Sequence, residues 1–371
     1  MKVLFIGHYR EGGGWAKASI DFIQALDSIG IDIVCRNVSL TNKYVDIPQR
    51  VIELENKSLD NVDYCIQHVL PHHLVSTTKF KKNIAYFEYE TNNMKQNEWT
   101  NNLHLVDEVW VANKTLHKVV SEAGIKNCKI VPHCFDISTY SKQYEKINLQ
   151  DMKDKFIFYY IGDYNSRKNI DSIIRCFHSE FCNDEKVALL VKINKFGTTK
   201  EQLRKIYTDN STRIKQIIRT KPSLERCCSE IVITEDLTPD QINSIHQRCD
   251  CFITISHGEA WSIPAFDAMA FGNTPICSNE GGPKDFIDAS DVNTGSLIDG
   301  IYNVCNCPDA AFPHIFTGRE EWFEPSESET KKQMRYYYEN RGNINRAAGL
   351  ERAKQFSYEN IANKIKDYLS E

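Results

Sequence analysis

Val3-Leu4-Phe5-Ile6-Gly7 opens the chain as a short apolar run closing on glycine, and Gly12-Gly13-Gly14-Trp15-Ala16 follows it. From Ala16 to Ile29, apolar residues recur at Ile20, Ile23 and Ile29 with helical spacing, and Gly30 closes the pattern. Ile31 to Val38 is a second β-branched run. Strand, glycine turn, helix and strand in that order make a βαβ unit. Glycines ahead of such a helix let a phosphate or sugar approach the backbone closely. The cluster does not fit G-x-G-x-x-G, so it gives no ground for a dinucleotide cofactor.

The same alternation continues outward. Asp63 to Gln67, Asn83 to Phe87, Glu108 to Ala112 and Lys129 to Val131 read as further strands, and Asn113 caps a helix from Thr115 to Ala123 that stops at Gly124. A polar stretch from Ser138 to Lys155 interrupts the pattern as a linker. A second series then starts with the strand Phe156 to Ile161, whose helix carries Ile170, Ile173, Ile174, Phe177 and Phe181 on one face. Val187 to Ile193, Glu230 to Thr234 and Cys251 to Ile255 follow as strands. Thr238-Pro239-Asp240-Gln241 starts the helix that runs to Arg248, with a threonine cap, a first-turn proline and a glutamine closing a capping box. The expected fold is α/β, two doubly wound, Rossmann-like halves with parallel sheets facing a cleft. Residues 1–145 form the first half and 146–355 the second, and the amphipathic tail 356–371 (Ile361, Ile365, Leu369) packs back on the first.

Composition agrees with two globular halves. A chain of 371 residues exceeds what one core usually serves. Its 41% hydrophobic and 26% charged residues are those of an ordinary folded enzyme. A net charge of -5 argues against the nucleic-acid backbone as main partner. The first apolar run is too short for a signal peptide, and no stretch nears the ~20 apolar residues that span a bilayer. Thirteen cysteines, several inside apolar runs (Cys35, Cys65, Cys251, Cys277), read as reduced thiols in a cytoplasmic protein. Cys227-Cys228 and Cys305-x-Cys307 lack the spacing of a zinc site.

The segment with most chemistry is Ser256-His257-Gly258-Glu259-Ala260-Trp261-Ser262-Ile263-Pro264-Ala265-Phe266-Asp267-Ala268-Met269-Ala270-Phe271-Gly272. It reads as a strand end, a tight polar loop and a helix opened by Pro264. The free N–H groups of loop and helix start suit a diphosphate. Glu259 in the loop and Asp267 one turn into the helix can accept hydrogen bonds from two separate sets of sugar hydroxyls. A second element, Gly162-Asp163-Tyr164-Asn165-Ser166-Arg167-Lys168-Asn169, follows the first strand of the second half. Adjacent cations there can neutralise a leaving diphosphate.

The Ser256–Gly272 segment resembles the E-x7-E signature of family-4 retaining glycosyltransferases, which have the GT-B fold. The first glutamate, the proline, Ala268-Met269-Ala270, Gly272 and Pro275 match. The second acid is aspartate, and Ala260-Trp261-Ser262 replaces the usual glycine, phenylalanine and glycine. The resemblance implies that Glu259 holds donor-sugar hydroxyls and Asp267 the ribose, with Ala260, Trp261 and Ser262 lining the donor. It makes Lys168 and Arg167 the partners of the diphosphate, although Asp163 stands where an arginine is frequent. His68, at the end of its strand, would bond a sugar hydroxyl, and Gly13 and Gly14 would line the cleft. Glu235, after a second-half strand, would lie by the nucleobase; Asn279-Glu280-Gly281-Gly282-Pro283 would offer backbone groups to the sugar. Glu88 and Glu90 would face the acceptor, while His72 and His73 are expected to be exposed.

The function expected is thus transfer of a sugar, with retention, from a UDP-, GDP- or ADP-sugar to a hydroxyl acceptor in glycan or glycoconjugate biosynthesis. The acceptor is a glycan or lipid-linked glycan, the latter placing the enzyme at the inner membrane surface. No D-x-D motif stands at a strand end, so no metal and no further cofactor are expected. Two other readings compete: a non-catalytic nucleotide- or sugar-binding protein of this fold, and a transferase acting on a modified nucleobase. A phosphorylase would need a pyridoxal-phosphate lysine and a much longer chain.

Overall fold

The computed structural model describes residues 1–41, 44–149, 152–218, 224–305 and 317–371. Cys307 and residues 150–151 of the expected linker lie outside them. The chain divides into two compact units. The first holds Met1–Thr139, residues 317–321 and Lys354–Glu371; the second begins at Tyr140 and includes Trp322–Ala353.

In the first unit six strands form one parallel sheet: β1 (Lys2–Gly7), β2 (Asp32–Asn37), β3 (Tyr64–His68), β4 (Lys82–Tyr86), β5 (Glu108–Val111) and β6 (Cys128–Ile130). Their spatial order is β2-β1-β3-β4-β5-β6, so the winding direction reverses between β1 and β3. The helix Gly13–Ser28 starts within the glycine loop, earlier than apolar spacing alone indicates, because Gly12 takes the positive φ of 79° that turns the chain. It buries Phe22, Ile23 and Leu26 on the sheet side. The last helix, Tyr358–Ser370, buries Ile361, Ile365 and Leu369, packs along Gly13–Ser28, and is pinned by the Tyr358 hydroxyl donating to Asp21 at 2.6 Å.

The second unit repeats the plan with β7 (Phe156–Asp163), β8 (Val187–Asn194), β9 (Ser229–Ile233), β10 (Cys251–Thr254), β11 (Ile276–Ser278) and β12 (Ser296–Ile298). The order β12-β11-β10-β7-β8-β9, parallel throughout, reverses between β7 and β10. Strands buried on both faces explain the near-continuous apolar runs of β7 and β8. Phe158, Tyr160, Leu189, Val191 and Ile253 meet Ile173, Ile174 and Phe177 of the helix Ile170–Glu180 in the core. A two-stranded sheet of β13 (Gly300–Val304) and β14 (Glu321–Pro325) lies outside the six-stranded one. The twelve described cysteines are all free thiols.

Candidate functional site

Ligands of open α/β sheets bind beyond the carboxyl ends of the strands where the winding reverses. In the second unit that point lies between β7 and β10, and the two segments singled out in the sequence leave these strands. The Ser166–Lys168 turn after β7 is stitched at both ends. The Asn165 side chain accepts from the Lys168 backbone N–H at 3.1 Å, and Asn169, left-handed at φ 53°, donates through its amide to the Ile255 carbonyl at 3.0 Å. The Arg167 guanidinium reaches across to the Gly258 carbonyl at 2.6 Å, and the His257 N–H returns to the Arg167 carbonyl at 2.8 Å.

These links bring Lys168 onto Glu259. Its ammonium donates to both carboxylate oxygens, at 2.7 and 2.9 Å, and an Arg167 nitrogen stands 3.7 Å away. Glu259 is buried. Burial alone pushes its carboxyl up, but Lys168 and Arg167 outweigh burial and hold it below the ordinary carboxylate value. The cation expected at the diphosphate and the acid expected at the sugar therefore neutralise each other in the free protein.

The loop's backbone is fixed from two further sides. Gly281 has φ 64° and lies so close that a Cβ there would sit 1.9 Å from the Glu259 carbonyl oxygen, which accepts from Gly282 N–H at 3.1 Å. Only glycine permits that approach. On the other side His257 pairs with β14, its carbonyl accepting from Phe323 N–H at 2.9 Å and its Nδ1–H donating back at 2.9 Å, while its ring stacks on Trp322 at 4.2 Å.

The helix Ile263–Ala270 then starts at Ser262, left-handed at φ 68° and without a side-chain cap; Pro264 has no N–H, and the Ala265 and Phe266 N–H groups both return to the Ser262 carbonyl at 3.0 and 3.1 Å. Asp267, buried one turn in, accepts from the Tyr140 hydroxyl at 2.7 Å and stands apart from the Lys168–Glu259 pair. Ala260 and Trp261 are buried, and the Trp261 ring packs on Phe266 and Phe286 as core. Glu235 is exposed beyond β9 and ion-paired with Arg204 at 2.6 Å. Glu280, buried, accepts from the Tyr302 hydroxyl at 2.8 Å. Tyr140 and Trp322 carried no signal of their own, since each meets its partner across a long stretch of chain.

In the first unit the reversal lies between β1 and β3, where the glycine loop and His68 sit. Gly13 and Gly14 are exposed, and a Cβ at Gly13 would meet nothing within 4 Å. His68 is fully buried with both ring nitrogens engaged: Nδ1 with the Ser19 hydroxyl at 2.8 Å, Nε2 with Glu88 at 2.9 Å. His133 lies 3.3 Å from the same carboxylate. Burial pushes Glu88 up, but the two histidines outweigh it and hold its carboxyl at about 2. Glu88 keeps some exposure at the strand end, and Glu90 is half-buried two residues on. His72 and His73 are exposed. Two buried groups next to the glycine loop went unnoticed in the sequence. His8 Nε2 and the Trp15 indole N–H have no hydrogen-bond partner among the described residues, and their rings meet edge to face at 5.4 Å. Among the described residues, the one cluster with metal-donor geometry, Cys182, Asp184 and Glu185, precedes β8 at the opposite edge of its sheet.

Residues 229–303 match the family model of glycosyl transferases group 1. No curated protein sequence matches the chain. Solved structures resemble it over its full length. Anabaena Alr3699/HepE in complex with UDP-glucose is 13% identical, aligns with 100% of this chain and 99% of its own, and has a TM-score of 0.64. Sucrose-phosphate synthase from Thermosynechococcus elongatus is 11% identical over 100% and 98%, with a TM-score of 0.65. A glycosyltransferase from Rickettsia africae is 12% identical over 100% and 97%, with a TM-score of 0.65. The two six-stranded parallel sheets with their helices are those of the GT-B fold.

Proposed function

We propose that this chain is a nucleotide-sugar-dependent glycosyltransferase that retains the anomeric configuration, with the donor bound at the β7–β10 reversal of the second unit. The observation that carries the reading is the Lys168–Glu259 pair at that point, flanked by an uncapped helix start. The match to glycosyl transferases group 1 over 229–303, and the UDP-glucose held by a neighbour of the same fold, support the donor class.

On binding, the diphosphate takes Lys168 and Arg167, with the positive end of the helix Ile263–Ala270 beside them. Glu259, released from Lys168, accepts hydrogen bonds from donor-sugar hydroxyls; Asp267 accepts from the ribose. The bond from the anomeric carbon to the phosphate oxygen breaks, a bond to the acceptor oxygen forms on the same face, and the acceptor proton passes to the departing phosphate oxygen. Lys168 and Arg167 stabilise the charge that grows on that oxygen. Side chains and helix dipole supply the neutralisation, so the reaction should proceed in EDTA. On the first unit taken by itself, Glu88, held as an anion by His68 and His133, is proposed as an acceptor-binding group, with His68 acting through it. The acceptor class is a glycan or lipid-linked glycan. No helix among the described residues is long and apolar enough to cross a membrane.

A thermal-shift panel of UDP-, GDP- and ADP-sugars, followed by NMR of the product anomer, tests this. A ligand selective for the folded state at a hundredfold over its Kd stabilises by about 2.7 kcal/mol. One sugar nucleotide should raise the melting temperature and yield a product with the donor's anomeric configuration. No response to any of the three, or an inverted product, contradicts the reading.

A further inference from the structure

Lys192 lies on β8, two residues before its end at Asn194, one strand from the β7 turn that bears Lys168 and on the side away from β10. In register it lies beside Ile161 of β7 and Ile233 of β9. Its residue is 2% exposed, and its ammonium has two neutral acceptors, the Asn194 side-chain oxygen at 2.7 Å and the Ile193 carbonyl at 3.3 Å. An ammonium carries three donors, so one N–H is left over, and no carboxylate among the described residues lies within ion-pairing distance. Burying a charge on those terms is costly. Burial accordingly pulls the Lys192 amine down from its ordinary value, with Asp236, Asp163 and Glu235 partly offsetting it from a distance. Nothing in the core needs this charge, since the neighbours on β8 are Val191 and Ile193, both buried and apolar. A methionine would fill the same space without it.

We propose that Lys192 is a specificity-determining residue that donates its remaining N–H to a carbonyl oxygen of the donor's nucleobase. This rests on the donor site placed at the β7–β10 reversal. With the sugar and ribose held from the β10 loop and its helix and the diphosphate at the β7 turn, the base reaches toward β8, one strand or about 4.8 Å beyond β7. The surroundings of Lys192 decide which acceptor it takes. Glu235 and Asp236 are ion-paired with Arg204 and Lys200 at 2.6 and 2.9 Å, and both present partners of the ammonium are neutral oxygens, so a base carbonyl is a third acceptor of the same kind. Lysine has donors only, so it favours a uracil or guanine carbonyl over the amino edge of adenine.

Calorimetry of UDP, GDP, ADP and inorganic pyrophosphate with wild type and Lys192→Met tests the assignment, alongside melting curves of the free proteins. Wild type should prefer UDP or GDP to ADP. Lys192→Met should lose about tenfold or more of affinity for the preferred nucleotide, leave ADP and pyrophosphate nearly unchanged, and melt higher, because a buried charge has been replaced by an isosteric apolar chain. Equal losses for all four ligands would make Lys192 a phosphate contact. Unchanged affinities, or a lower melting temperature with base preference intact, would make it structural. Either result overturns the inference. A wild type that binds none of the three nucleotides defeats the donor-site reading itself.

Discussion

Tyr140 donates its hydroxyl hydrogen to the buried Asp267 carboxylate at 2.7 Å, so the acid assigned to the ribose is already hydrogen-bonded in the free protein. A ribose hydroxyl must share or displace that donor. Tyr140→Phe removes it and should lower the stability of the free protein by about 1–3 kcal/mol. Affinity for the nucleoside diphosphate should be equal to that of wild type or tighter. Urea melts and calorimetry on the same samples check both halves; affinity weakened tenfold would show that Tyr140 itself belongs to the nucleotide site.

Glu259 and Asp267 should separate in kinetics. Glu259→Gln keeps the side chain's shape, loses the charge, and frees Lys168. Turnover should fall on the order of a hundredfold or more, because contacts that strengthen in the transition state are lost. Nucleoside diphosphate should bind as tightly as before or tighter, since Lys168 no longer leaves a carboxylate to reach phosphate. Asp267→Asn should weaken nucleotide binding as well as turnover. Steady-state kinetics with nucleotide inhibition constants decide, and normal turnover in Glu259→Gln would mean that the loop does not face the sugar.

Away from the site, Glu230 at the start of β9 pairs with Lys215 at 2.9 Å and accepts from Ser211 at 2.8 Å, with His178 on the same carboxylate. Burial raises its carboxyl, but His178 and Lys215 outweigh burial and hold it at about 2, below the ordinary 4.5. A depressed value stabilises the fold above the ordinary pKa and is lost as pH falls through the folded one. Glu230→Gln should therefore cost about 3 kcal/mol at pH 7. The gap from wild type should close between about pH 4.5 and pH 2. Urea melts across that range test it; a gap independent of pH would show that packing, not charge, holds Glu230.

The fold was legible where local chemistry repeats it. Asn113 does cap its helix, accepting from Leu116 N–H at 2.8 Å, and Thr238 with Gln241 forms the expected capping box. The helix Lys200–Ile217 is not legible in the sequence although Thr199 and Gln202 form the same box. Only Leu203, Tyr207, Ser211 and Ile214 are buried along it, too thin an apolar stripe to read among its charges. Of the proposed site, the sequence marks Lys168 and Glu259 by the loops that bear them and Asp267 by its place in the helix opened by Pro264. What holds them is not legible there. Tyr140 reaches Asp267 and Trp322 reaches His257 through the tertiary fold, and a buried lysine such as Lys192 looks in sequence like any polar residue near a strand end.

The central claim is that Lys168 exchanges Glu259 for a nucleoside diphosphate. Titration of UDP, GDP and ADP into wild type and Lys168→Ala, in EDTA, tests it most directly. The account predicts saturable binding of at least one of them to wild type, weakened tenfold or more in Lys168→Ala by loss of a charge-assisted contact. Equal affinity in the two proteins, or binding to wild type only after Mg²⁺ or Mn²⁺ is added, would contradict it.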